Sequence, residues 1–489
     1  MKTNPSRRQF LHASAVGAAA AASAPVIRIG PLRSDTLRVG VAGVRGRGNH
    51  LLNGFEDREG VEVIALADVD AGVLAKRAEE LGKKSGRTIT TFTDLRDMLE
   101  SGGIDAVGIG TPNHLHALHT VWSVAAGKDV YVEKPVSHNI WEGRQMVAAA
   151  KKYGRIVQTG TQSRSSHALR DAIEWLDSGA IGERTLGWGT CFKPRPSIGK
   201  VDGPQPVPEG VDYRLYMGPR GEQPLNRRSL HYDWHWQSAT GNGDLGNQGV
   251  HQVDQVRWAL GMPGIAPAAV SIGGRFGYDD DGDTPNTMIT LLDYQPVPMI
   301  FEVRGLPRNK AAQAEMKSWR SSMDRRLGSA VGAVVHAEGG HLRFPSYTAA
   351  RAYDASGKEI KKWDGADNHI QNFVDAVRAR DASLINASIE DGHVSAALCH
   401  MGNDSLTLGE TATRGEIERA VATQPALAHA FDRLLAHLDL NGVDLGATPL
   451  TFGASLRFDA VTGTYADNAA ANELMRGSYA EGFEVPEIV

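Results

Sequence analysis

Cysteine is almost absent from this chain: Cys191 and Cys399 are the only two among 489 residues. They make no disulfide framework, and their apolar and aromatic neighbours read as buried thiols rather than metal ligands. An excess of either charge is also missing, with 52 Lys and Arg against 57 Asp and Glu and a net charge of −5. That balance leaves no basic field for nucleic acid or an anionic membrane. A comfortable membrane span is lacking too, because the apolar stretch Ala13 to Ala24 is short and rich in alanine. No internal repeat appears, and no low-complexity tract beyond that stretch. The length exceeds one ordinary core, so two domains are expected.

Ser6-Arg7-Arg8-Gln9-Phe10-Leu11 precedes the alanine-rich run. Paired arginines, Phe-Leu and a small-residue apolar run, in that order, read as a twin-arginine export signal. Cleavage is expected around Ala22 to Ala24. Residues 1–34 are therefore an address, and the mature protein is expected outside the cytoplasm, in the periplasm or an equivalent space, with no membrane insertion.

From Thr36 to Gly160, β-rich runs alternate with helical patterns. Strands are expected at Thr36 to Ala42, Val61 to Ala67, Ile104 to Gly110, Asp129 to Val132 and Arg155 to Thr159, with helices between them. This alternation predicts an α/β unit, a doubly wound parallel Rossmann sheet, over residues 35–160. The pattern then changes. Strands at Thr185 to Cys191, Ala269 to Phe276, Met288 to Tyr294 and Met299 to Arg304, with shorter ones to Asp354, predict an α+β domain over 161–411. Its sheet should be large, open and mostly antiparallel. Lys193 to Arg228 reads as a long ordered loop, and residues 412–489 as a C-terminal extension.

The turn Gly43-Val44-Arg45-Gly46-Arg47-Gly48 follows the first strand and precedes a helix. A dinucleotide fingerprint needs that setting: glycines turn tightly, let backbone approach a pyrophosphate, and place it at a helix N-terminus. Gly43 and Gly48 fit the first and third glycine positions. Arg45 holds the second, with Gly46 beside it, so a guanidinium is expected to join the backbone amides there. Asp68 closes the second strand 20 residues beyond Gly48. A carboxylate there accepts from ribose hydroxyls and repels a 2′-phosphate, which favours NAD. Arg45, Arg47 and Lys76 keep NADP open.

Glu133-Lys134-Pro135 ends the buried strand Asp129 to Val132, where open α/β sheets place their ligands. Together with the glycine turn, it resembles the Glu-Lys-Pro segment of the Gfo/Idh/MocA oxidoreductases. Thr111-Pro112-Asn113-His114-Leu115-His116 resembles the same family's loop along the nicotinamide half of the cofactor. Thr111 and Asn113 are helix-cap residue types. His114, His116 and His119 lack a carboxylate or cysteine partner at ligand spacing, so no metal is expected.

The resemblance implies hydride transfer between a sugar or polyol carbon and NAD(P), with Lys134 supplying positive charge and shuttling a proton. It also implies a second half-site in Gly241 to Asp254. There, His251 matches the family histidine, a general acid/base near neutral pH. The family's aspartate position is Asn247, four residues before it, and Asp244 is a possible substitute. Gln162 and Arg164 follow the last Rossmann strand and are expected across the cleft, Gln162 toward the cofactor and Arg164 toward substrate hydroxyls or a carboxylate. Trp234 and His235 offer a stacking surface for a sugar ring. A homo-oligomer is implied through the large sheet. Three readings stay open: an exported oxidoreductase with retained NAD(P), a glycoside hydrolase or lyase using transient ring oxidation, and a non-catalytic sugar-binding protein.

Overall fold

The computed structural model describes residues 36–489, so the export signal and its cleavage site lie outside the described residues. Six parallel strands form the first sheet: β1 (Leu37–Ala42), β2 (Val61–Ala67), β3 (Thr90–Phe92), β4 (Ala106–Ile109), β5 (Asp129–Val132) and β6 (Val157–Thr159). Their order is β3-β2-β1-β4-β5-β6, the doubly wound arrangement. Five follow the apolar runs. β3 was not expected. It is a three-residue, largely exposed edge strand, followed by a short helix that starts at Leu95 under an Asp94 cap.

The strands end together at one edge. Gly43, Asp68, Gly110 and Glu133 each stand one residue past a strand. Gly43 has φ 75°, and a methyl on Gly48 would stand 1.5 Å from the Gly43 carbonyl oxygen. Only glycine lets the turn fold back so closely. The following helix is Gly46–Glu56, so Gly46, Arg47 and Gly48, part of the glycine turn, form its first turn.

The second sheet contains β7 (Arg184–Phe192), β8 (Ala268–Gly274), β9 (Thr287–Leu292), β10 (Met299–Arg304), β11 (Val331–Ala337), β12 (Gly340–Phe344), β13 (Ala349–Asp354), β14 (Glu359–Asp364), β15 (Glu410–Ala412) and β16 (Leu450–Phe452). Its order is β14-β13-β12-β11-β7-β10-β9-β8-β16-β15. Only β7 and β10 pair in parallel; the other ladders are antiparallel. Two short strands, β17 (Leu456–Asp459) and β18 (Thr464–Tyr465), attach at β8.

One face of this sheet packs on helices His167–Asp177, Val250–Leu260 and Ile389–Thr407. The other face, over β7 to β10, packs on Arg414–Val421 and Pro425–Leu440, which bury Ile417, Phe431 and Leu434 against Trp188, Ile289 and Ile300. The C-terminal segment thus covers apolar sheet surface that the resemblance would assign to a second copy. The uncovered half carries His336, His341, Arg343 and Tyr353, a more polar surface. The chain's last residues return to the first unit, where Phe483 and Val485 join its core. No helix among the described residues is long and apolar enough to cross a membrane.

Candidate active site

A cavity of about 830 Å³ opens along the carboxyl edge of the first sheet and is closed on its far side by the second unit. Gly43, Arg45, Gly46 and Arg47 line one end with Asp68. A Cβ on Gly46 would meet nothing within 4 Å, so this turn leaves open space over an uncapped helix N-terminus. The Asp68 carboxylate is pinned by two main-chain amides, Val44 N to Oδ2 at 2.8 Å and Asp70 N to Oδ1 at 3.0 Å. Its remaining lone pairs can accept from a ribose diol. These features fit a dinucleotide: a floor of backbone, a positive helix end and a fixed acceptor.

The basic groups proposed for a 2′-phosphate are mostly committed elsewhere. Arg47 Nε donates to Glu133 Oε1 at 2.8 Å. Lys76 projects outward near Glu80 and does not line the cavity. Arg45 remains at the rim.

Further along, Thr111, Pro112, Asn113 and His116 line the wall. Asn113 is not a helix cap as expected; its amide bonds Asn242 across the cleft. His116 is clasped between the Pro135 carbonyl at 2.7 Å and the Thr111 carbonyl at 2.8 Å. His114 likewise spans the Thr240 and Tyr216 carbonyls, and burial drops its pKa to about 3. A neutral imidazole carries one N–H, so each ring donates to only one of its two carbonyls and packs the other ring nitrogen against the second. Among the described residues, no three His, Cys, Asp or Glu side chains gather as a metal site would.

Glu133 and Lys134 enter past β5. Glu133 lies against Gly160, where a Cβ would stand 2.7 Å from its carboxylate. Lys134 Nζ crosses to the second unit and donates to the Asn247 carbonyl at 2.7 Å, with the Asn247 side-chain oxygen at 3.4 Å. Burial, joined by Arg47 and Lys193, pushes its pKa down to about 8 against the pull of Glu133. Residues Leu245–Gly249 form a π-helical turn ahead of the helix Val250–Leu260. The extra residue per turn removes Asn247 and His251 from simple one-face α-helical spacing, a distortion frequent at functional sites.

Several expected site residues stand elsewhere. His251 lies just behind the cavity wall, packed on Tyr347 with ring centroids 4.6 Å apart, and its buried Nδ1 has no hydrogen-bond partner among the described residues. Burial, with Lys134, Arg47 and Lys193 nearby, holds its pKa well below the ordinary histidine value. It is a neutral imidazole rather than one poised near pH 7. Asp244 cannot stand in for the missing aspartate, because it is buried in a bidentate pair with Arg195 at 2.7 Å on each oxygen. Arg164 does not reach substrate space either. It forks onto Asp254 at 2.9 Å and pairs with Asp391, inside the second unit. Gln162 sits beside the Tyr131 hydroxyl, off the cavity surface.

Trp234 and His235 do line the cavity, stacked on each other with centroids 3.6 Å apart. Burial lowers His235 to about 3, so it is neutral. Lining residues that sequence reasoning missed include Lys193, His231, Gln248 and Phe483. His231 faces Asp70 at 2.8 Å, and Lys193 donates to Gln248 Oε1 at 2.9 Å. Gln248 lay within the quoted motif. Lys193 comes from the long loop, His231 from just after it and Phe483 from the tail, where no periodicity marks them.

A family profile described as an oxidoreductase family, NAD-binding Rossmann fold, matches residues 37–161. Its partner profile, the C-terminal alpha/beta domain of an oxidoreductase family, matches residues 189–292. A twin-arginine translocation signal profile matches residues 4–24. Inositol 2-dehydrogenase 1 of Saccharopolyspora erythraea is 31% identical over 153 residues, 31% of this chain and 44% of that protein. A glycosyl hydrolase family 109 protein of Shewanella sp. is 32% identical over 145 residues, 29% of this chain and 32% of that protein. The chain thus spans less than half the length of these two relatives. Levoglucosan dehydrogenase in complex with NADH shares the fold, with a TM-score of 0.54 at 16% identity over 75% of this chain and 96% of that one.

Proposed function

The chain belongs to the Gfo/Idh/MocA oxidoreductase family, and from that premise we propose that it moves hydride between a ring carbon of a carbohydrate or cyclic polyol and a retained NAD outside the cytoplasm. The observation that carries this reading is Lys134, brought to about pKa 8 at the meeting point of the two units. Asp68, pinned as a ribose acceptor, supports NAD over NADP. The export signal supports a nucleotide loaded before translocation and kept.

Bound NAD would supply the hydride-accepting carbon. The protein's own part is proton handling and orientation. As a ring C–H gives up hydride, the hydroxyl proton passes to the neutral amine of Lys134, and the ammonium so formed steadies the developing carbonyl. Asn247 holds the amine by its main-chain carbonyl without adding charge. Trp234 and His235 present an apolar stacked face beside it, suited to the C–H face of a sugar.

The test is to purify the exported protein, denature it and identify released nucleotide by mass spectrometry, then screen sugars and inositols without added cofactor. About one NAD per chain with sugar-dependent change in its redox state is expected. A protein with no nucleotide, weak NAD affinity and no turnover would overturn the reading.

The identity with a glycosyl hydrolase family 109 protein favours one alternative. In it, transient oxidation of one ring carbon drives elimination of the glycosidic leaving group, water adds, and the ring is reduced again. Release of aryl alcohol from an aryl glycoside, with no net change in nucleotide redox state, would select it.

A further inference from the structure

Two ammonium groups reach the reactive end of the cavity, and neither is ion-paired with a carboxylate among the described residues. Lys193 stands one residue past the end of β7 and spends a single N–H on Gln248 Oε1, at 2.9 Å. Lys134 arrives from the first unit and donates to Asn247, the neighbouring residue of the same π turn.

The surrounding charges offset them only in part: burial and the neighbouring cations leave both lysines lowered, although Glu133 and Asp244 pull Lys134 up and Asp244 pulls Lys193 up. Asp244 is held by Arg195 in a buried bidentate pair, and Glu133 by Arg47, so neither carboxylate is free to turn to the two ammonium groups. Asp68 sits at the ribose end, fixed by main-chain amides. Asn247 is neutral, so the second unit brings no free negative charge to this end. Gln248 cannot turn to donate instead, because its Nε2 is held by the Tyr347 hydroxyl at 2.7 Å and by Gln252 at 3.2 Å. Its Oε1 therefore fixes the direction of Lys193. Two N–H groups of that ammonium remain for a ligand.

Resting on the carbohydrate oxidoreductase reading, we propose that the substrate is an acidic one, a hexuronate or another carboxylated sugar or polyol. Lys193 holds its carboxylate, and Lys134 is left facing the hydroxyl that reacts. A carboxylate at Lys193 also removes the repulsion between the two ammonium groups, since Lys193 is among the charges that push Lys134 down. Lys193 is itself lowered, by burial and by Arg195, and an anion would relieve that as well. A neutral sugar offers neither compensation.

The test uses the mature protein with its nucleotide and pairs of sugars differing by a carboxylate, glucose against glucuronate and galactose against galacturonate. Calorimetric titration reads binding without requiring turnover. In at least one pair the acid is expected to bind about 10- to 100-fold tighter, with the advantage shrinking as salt rises. Lys193→Gln should abolish that preference and raise KM for the acid more than it lowers kcat, whereas Lys193→Arg should keep most of it. Equal or tighter binding of the neutral sugar in both pairs, binding of no acid, or an unchanged preference in K193Q would overturn the proposal. The wild-type comparison stands even if a variant misfolds. A preference for the acid that depends on Lys193, without any hydride transfer, would uphold the anion site and sink the oxidoreductase reading instead.

Discussion

Lys134 Nζ donates to the main-chain carbonyl of Asn247 at 2.7 Å, across the line where the two units of the chain meet. A carbonyl orients the amine without pairing its charge. With its pKa near 8, the lysine is mostly ammonium at pH 7 and mostly amine at pH 9. Oxidation of a hydroxyl needs the amine. The oxidation rate should therefore rise with pH and level off above an inflection near pH 8, while the reverse reduction falls over the same range. Lys134→Met should lower kcat for oxidation by about 10²- to 10⁴-fold. A pH–rate profile that is flat through pH 8 would remove Lys134 from the proton path.

Asn247→Asp puts a carboxylate beside that amine. An opposite charge at this range stabilises the ammonium by about 1–3 pKa units. The inflection should move up accordingly, and the rate at pH 7 should fall, although the variant restores the family's usual residue. An inflection that stays in place would mean that the side chain at 247 does not face Lys134 during turnover.

Asp68 tests the nucleotide. Its carboxylate accepts from Val44 N and Asp70 N while keeping lone pairs toward the cavity. Asp68→Ser keeps a short acceptor for the turn but removes the charge. NAD affinity should drop about 10-fold or more, and the discrimination against NADP should narrow, as read by equilibrium titration of nucleotide-free protein. Unchanged affinity for both would place the ribose elsewhere.

The parallel sheet was legible because its strands are apolar runs separated by helical periods, and because Gly43, Asp68 and Lys134 lie next to strand ends in sequence. β3 and β14 were not: both are exposed edge strands without an apolar period. Arg164 and Asp244 looked available because they flank recognisable segments. What disqualifies them is a partner far away in sequence, Asp254 for one and Arg195 for the other. Burial of that kind leaves no local trace. Lys193 and Phe483 were hidden for the converse reason, since a long loop and a returning tail bring them to the cavity without any motif.

Gly46 and Gly48 lie two residues apart in one turn, yet should respond oppositely to alanine. At Gly48 the added methyl would overlap the Gly43 carbonyl, and the helix and turn would have to separate. Gly48→Ala should lower the thermal midpoint sharply, by about 3 kcal/mol of stability or more, or prevent folding. At Gly46 the methyl meets open space, so Gly46→Ala should fold normally, with any loss confined to nucleotide affinity. Equal melting temperatures for the two variants would mean that the close approach at Gly48 is not maintained.

Asp404 offers a test of stability independent of activity. It accepts from the Tyr465 hydroxyl at 2.8 Å, and burial raises its pKa to about 7. Between about pH 4 and pH 7 the folded carboxyl holds a proton that the unfolded chain has released, so its contribution to stability falls as pH rises through that window. Above pH 7 the penalty is fully present. Asparagine cannot ionise, and its side-chain oxygen still accepts from Tyr465. Asp404→Asn should therefore stabilise the protein by about 1–3 kcal/mol at pH 8, with little change at pH 4. Chemical denaturation at the two pH values measures this directly, and a variant less stable than wild type at pH 8 would show that the carboxylate is compensated by partners beyond Tyr465.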